Sequence, residues 1–179
     1  MDVQDAKKRL DYGNKRYVKG EMMVTSPTMP LRARLAANGQ KPYAAILSCC
    51  DSRIIPEAVF SATAGELYVV RTGGIVASDD AIGSLQYAVE ALGVEYVLVL
   101  GHTDCAAVKL ALEGKTLTGK SAGIVDTVRL AVKDCTSIES AVNVNTRFSA
   151  IMVRNALAGL KVTVEPAVFD MATGAVTYI

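Results

Sequence analysis

Apolar positions along this chain follow two different periods. Over 1–20, MDVQDAKKRLDYGNKRYVKG places its apolar residues at helical spacing among charged ones, which predicts an amphipathic N-terminal helix weakened by Gly13. Turn chemistry at Pro27, Pro30 and Gly39–Pro42 then predicts an irregular connector, with a short helical piece around 31–37. YAAILSC (43–49) and ELYVVRT (66–72) read as short strands, and VEYVLVLG (94–101) as the clearest strand, apolar on both faces like a central parallel strand. The stretch from Ile54 to Gly65 between the first two reads as loop or short helix.

Helices are predicted from about Asp80 to Leu92, capped by Ser78 or Asp79 and stopped by Gly93, and through DCAAVKLALEG after the third strand. A glycine-bearing loop to about Gly123 precedes two further helical stretches, 124–134 and 137–158. KVTVEPAVFD (161–170) is strand-like, and MATGAVTYI reads as a turn and a last β segment. This alternation predicts a three-layer α/β domain with a mostly parallel central sheet flanked by helices. The chain reads as one domain over 1–179, with a helical arm over about 1–38.

Composition narrows the function classes. The formal net charge is +1, and no charge run advertises nucleic acid or an anionic membrane. The polar, charged start does not read as a signal peptide, so none is expected, and no apolar run approaches the ~20 residues of a membrane span. Cys49, Cys50, Cys105 and Cys135 are therefore expected to be reduced, in a cytoplasmic protein.

Reduced cysteines can be metal ligands, and the single histidine of the chain, His102, has Cys105 three residues on. In a parallel sheet, binding residues gather past the carboxyl ends of the strands. Three such ends read SCCDSR (48–53), RTGG (71–74) and GHTDC (101–105). Cys49 or Cys50 can then meet His102 and Cys105, giving a Cys2His set with a fourth position open, which favours zinc over magnesium or calcium. The plainer alternative leaves the cysteines as core filling and His102 as the cap of a helix beginning near Thr103.

CCDSR at 49–53 followed by GHTDC at 101–105 resembles the β-class carbonic anhydrases, whose pattern is Cys-x-Asp-x-Arg and then His-x-x-Cys. The likeness runs through VVRTGG and on from Ser78 to Cys105, covers roughly 40–130, and is strongest to short members of that family. The resemblance implies Cys49, His102 and Cys105 as ligands of one Zn2+ per subunit, since the motif selects the cysteine two places before Asp51. It implies Asp51 and Arg53 as a catalytic carboxylate–guanidinium pair. The activity implied is zinc-hydroxide-dependent, reversible hydration of CO2 to bicarbonate and a proton. Some relatives hydrolyse carbonyl sulfide or carbon disulfide by the same chemistry, and in some members the equivalent of Asp51 itself ligates zinc. The family is an obligate homodimer, often assembled further, with an N-terminal helix reaching over the partner.

Two departures bear on the pocket. Arg71-Thr72-Gly73-Gly74 stands where the family usually has Arg-Asn-Ala-Gly, and Ala106 where it usually has Gly. Cys135 matches nothing and reads as core. With His102 a ligand, no histidine remains to shuttle protons. GKTLTGKS (114–121) satisfies the phosphate-loop pattern, but a helix-like stretch precedes it where a strand is required. GGIVASDD lacks dinucleotide-binding spacing. A zinc-binding relative without turnover is the remaining class, and Asp51 with Arg53 speaks against it, because structural zinc sites usually close with a fourth protein ligand.

Overall fold

Helix α1 (Val3–Val18) starts where the Asp2 carboxylate accepts the Asp5 N–H and ends with Lys15 and Arg16 in its last turn, complementing the helix dipole. In this computed structural model, which describes residues 1–22 and 27–179, α2 (Met29–Asn38) follows, capped by Thr28 and ended by Gly39 at φ 72°. The expected irregular connector lies in part at 23–26, outside the described residues.

The strands are β1 (Ala44–Cys49), β2 (Leu67–Thr72), β3 (Tyr96–His102), β4 (Thr163–Phe169) and β5 (Val176–Tyr178). They lie in the order β2-β1-β3-β4-β5, with the first four parallel and β5 antiparallel to β4. Every residue of β1 and β3 is buried, as expected of central strands covered on both faces. The half-buried β2 forms one edge.

The helices follow the strand order. α3 (Pro56–Val59) joins β1 to β2, and α4 (Asp79–Glu90) joins β2 to β3. α5 (Ala106–Leu112), α6 (Lys120–Val132) and α7 (Ile138–Ala156) join β3 to β4. Right-handed crossovers put α3 on one face of the sheet and α4 to α7 on the other, and α1 packs against α3 and β3. This is the expected α/β architecture. Helix boundaries shifted in two places: α6 begins at Lys120, ahead of the predicted 124, and α5 only at Ala106, after a turn. GKTLTGKS therefore joins two helices, and no strand feeds it, so the backbone cannot wrap a phosphate there as a phosphate loop would.

α1 is anchored on its own chain. Ala6, Leu10, Gly13 and Asn14 are buried; Lys7 pairs with Glu165 at 2.7 Å, and the Tyr96 hydroxyl donates to the same carboxylate oxygen at 2.5 Å. By contrast, α2 has no buried residue, and its Met29 is 74% exposed. Among the described residues, no helix is long and apolar enough to cross a membrane.

Candidate metal centre

Three strand ends converge at one edge of the sheet, because the strands that carry them are parallel neighbours. Cys49 closes β1 opposite Thr72, the last residue of β2, and His102 closes β3. Cys105 sits one short turn further on, as the residue that caps α5. The ligand atoms of Cys49, His102 and Cys105 all lie within 4.8 Å of one another, and all three side chains are buried. The turn that brings Cys105 back depends on Asp104 at φ 61°, a left-handed conformation that Asp tolerates better than most residues.

Cys50 is exposed, while Cys49 is buried, as alternation along an extended segment requires. Cys135 is partly buried against the core, apart from this cluster, with the Ser140 hydroxyl 3.8 Å from its sulfur. All four cysteines are free thiols.

His102 does not act as a helix cap. Its Nδ1 lies 2.8 Å from the Thr103 carbonyl, which can only accept, so the proton sits on Nδ1 and Nε2 presents a lone pair. That Nε2 is buried without a hydrogen-bond partner. Burying an imidazole acceptor unpaired costs about 1–3 kcal/mol, a penalty removed if a cation takes the lone pair. With two sulfurs beside it, the donor set fits a thiophilic, tetrahedral ion such as zinc.

The thiols are not equivalent. The neighbouring Cys105 thiol lowers the pKa of Cys49 against the effect of burial, and the amides of Asp51 and Gly74 add to the shift. Once Cys49 carries the charge, the pKa of Cys105 rises, although the amides of Ala107 and Val108 at the start of α5 pull the other way.

Beside the cluster, Arg53 grips Asp51 with a two-point fork, Nε to Oδ1 at 2.9 Å and Nη2 to Oδ2 at 2.7 Å, and its own amide reaches Oδ1 at 3.0 Å. These bonds from Arg53 hold the Asp51 carboxyl well below the usual carboxylate range, against the upward push of partial burial. Arg53 also ties the two ligand-bearing loops together, because Nη1 donates to Asp104 Oδ2 at 3.0 Å and Nη2 to the Asp104 carbonyl at 3.3 Å. Lys109 pairs with the other Asp104 oxygen.

Three supporting residues escaped the sequence reading in these roles. Arg71 donates from Nε to the Cys49 carbonyl and from Nη2 to the Asp51 carbonyl; its place at the end of β2 was visible, and only register could show its reach. Asp104 was seen only as the residue between His102 and Cys105. Asn145 of α7 donates to the Gly74 carbonyl at 2.9 Å, and no local signal distinguished it from other polar positions of that helix.

Both departures have a structural setting. At Gly73 an added Cβ would come within 3.0 Å of the Ile124 side chain, so α6 leaves little room for the usual alanine. Ala106 is exposed at the first turn of α5, where solvent accommodates the extra methyl group.

A mostly parallel sheet with a buried Cys2His cluster at its carboxyl edge, flanked by a carboxylate–guanidinium pair, makes an α/β protein with a candidate metal centre. The family model described as carbonic anhydrase matches residues 44–176, and the chain belongs to the β-carbonic anhydrase family. It is 46% identical over 105 residues to carbonic anhydrase 2 of Mycobacterium tuberculosis, covering 59% of this chain and 50% of that one. To carbonic anhydrase of Mycolicibacterium smegmatis it is 39% identical over 125 residues, covering 68% of this chain and 60% of that one. The matched region thus spans half to three-fifths of these curated relatives. The fold is shared with a tetrameric β-carbonic anhydrase from Sordaria macrospora, at TM-score 0.74 and 19% identity over 84% of this chain and 87% of that one. It is also shared with β-carbonic anhydrase CafA of Aspergillus fumigatus, at TM-score 0.73 and 21% identity over 98% of this chain and 89% of that one.

Proposed function

We propose that this protein is a zinc enzyme that hydrates CO2 reversibly to bicarbonate and a proton. The observation that carries the reading is the unpartnered, buried Nε2 of His102 beside the two thiols of Cys49 and Cys105, next to an ionised Asp51. Cys49, His102 and Cys105 would hold the ion. When bound, zinc supplies Lewis acidity that lowers the pKa of a water molecule, so that an attacking oxygen is available near neutral pH.

The rest of the reaction falls to this chain's own residues. The Asp51 carboxylate accepts the hydrogen of the attacking oxygen and so turns a lone pair towards the carbon of CO2. Arg53 keeps that carboxylate charged and fixed in direction. The state in which Asp51 ligates the ion itself would require that fork to open. Since the chain's one histidine is committed as a ligand, the proton leaves through exposed carboxylates, water or buffer.

The four free thiols support a reducing, cytoplasmic setting. The uncovered α2, with Met29 exposed, supports a homodimer in which this segment lies on the partner.

The test is stopped-flow CO2 hydration by zinc-loaded protein at about pH 8.5, beside a carbonyl sulfide assay on the same batch and an Asp51→Ala control. Fast hydration that depends on Asp51 is expected. Sulfide release without CO2 hydration would replace the substrate with carbonyl sulfide. One zinc per chain with neither activity would leave a binding protein.

A further inference from the structure

Helix α7 passes behind the metal centre, and its buried face is unexpectedly polar there. Asn145 is 3% exposed and Thr146 0%. Together with Gly101, His102 and Cys105 they line a small cavity of about 10 Å3, walled otherwise by Ile75, Val108 and Val142. An amide among such neighbours is costly unless it is hydrogen-bonded, so the partner it takes is informative.

That partner is the carbonyl of Gly74, at 2.9 Å. Gly74 sits in the single helical turn Gly73–Ile75 after β2 with φ 60° and ψ 21°. A Cβ there would meet Val128 at 2.8 Å and Ala107 at 3.0 Å, so the turn is pressed between α5 and α6. The turn follows directly on Thr72, which pairs with Cys49 across the β1–β2 ladder, and its Ile75 walls the cavity beside His102 and Cys105. The Asn145 amide is thus tied, through the Gly74 carbonyl, to a turn that borders all three candidate ligand residues.

We propose that Asn145 is a positioning residue for the metal centre: through the Gly74 carbonyl it holds the 73–75 turn against the three ligand residues and so sets how firmly they grip the ion. The inference rests on the zinc reading above. A residue that merely glued α7 to the turn would contribute to folding and leave the properties of the ion unchanged.

The experiment compares wild type, Asn145→Leu, Asn145→Ser and Thr146→Val. Thr146→Val removes a bond within α7, from the hydroxyl to the Val142 carbonyl at 2.7 Å, and leaves Gly74 untouched. Three quantities are read: thermal unfolding of the metal-free protein, zinc affinity by competition with a chromophoric chelator, and the thiolate-to-cobalt charge-transfer band of the Co2+-loaded protein. Asn145→Leu is expected to weaken zinc by about 10–100-fold and to move the band. Thr146→Val should lower metal-free stability with neither effect.

Should the leucine variant fail to fold, Asn145→Ser, whose hydroxyl is too short to span the gap, carries the same comparison. Wild-type zinc affinity and an unmoved band in a folded Asn145 variant would overturn the inference alone. A wild-type protein that takes up no zinc would overturn the zinc reading and the inference together.

Discussion

Arg71 clasps the turn that carries Cys49, donating to the Cys49 carbonyl at 3.1 Å and to the Asp51 carbonyl at 2.7 Å. The two carbonyls lie where the β1–β2 ladder runs out, and a planar guanidinium is suited to bridge them. Lysine carries the same charge on a single point and cannot. Arg71→Lys and Arg71→Met are both expected to weaken zinc about ten-fold, read by chelator competition, while urea midpoints stay close to wild type. Undiminished zinc affinity in Arg71→Met would show that the ladder alone holds the turn.

Pairing with Arg53 makes a prediction about acid. A carboxyl whose folded pKa is depressed adds stability above its unfolded value, ~3.9, and loses it as pH falls through the folded value. Asp51 is such a group, held low first by the Arg53 side chain. In Arg53→Gln that cause is gone and partial burial still pushes upward. Asp51 should then titrate well above its wild-type value in an NMR titration of metal-free protein, with the amide of residue 53 still holding it down in part, and the fall in stability below about pH 4 should be shallower than in wild type. CO2 hydration should drop by about 100-fold. An Asp51 titration unchanged by the substitution would break the link between fork and carboxylate.

Adjacent cysteines give the sharpest test of the ligand set. Cys49 is buried in the cluster and Cys50 is exposed beside it. Cys49→Ser, Cys105→Ser and His102→Ala should each lose tight zinc, measured as metal per chain after dialysis, whereas Cys50→Ser should keep it. Free zinc at about 100 times its Kd should stabilise the wild type by about 2.7 kcal/mol and raise Tm, and a chelator should reverse the gain. Zinc retained by Cys49→Ser and lost by Cys50→Ser would reverse the assignment.

Much of this was legible in the sequence because it is written locally. The apolar runs of β1 and β3 declare buried strands, Ser78 and Gly93 bracket α4, and parallel strands bring 49, 72 and 102 to one edge. The choice between Cys49 and Cys50 came from the family pattern, and the structure adds the burial that distinguishes them. What stayed hidden depends on contacts between distant segments. Asp104 meets Arg53 across 51 residues, and Asn145 meets Gly74 across 71, and neither partner carries a local sign of the other. The start of α6 was misjudged because Gly123, a poor helix former, tolerates an exposed helical position when packing holds the segment.

Gly13 is the clearest case of tertiary context reversing a local rule, and it yields a prediction of sign. Within α1, replacing glycine by alanine should by propensity alone stabilise the helix by about 1 kcal/mol. Yet a Cβ at Gly13 would lie 1.9 Å from the Phe60 carbonyl oxygen and 2.6 Å from its carbon, both backbone atoms that no rotamer change can move. The contact is fastened on either side. The Ser61 hydroxyl donates to the Gly13 carbonyl at 2.9 Å. Asn14 donates to the Gly174 carbonyl and accepts from the Val176 N–H, each at 2.9 Å. Moving α1 outward to admit a methyl group would stretch these bonds and lift β5 with them. Gly13→Ala is therefore expected to destabilise the protein by about 2–3 kcal/mol in urea unfolding, although the same change should raise the helicity of an isolated peptide of residues 1–20. A Gly13→Ala protein more stable than wild type would mean that α1 does not rest on Phe60.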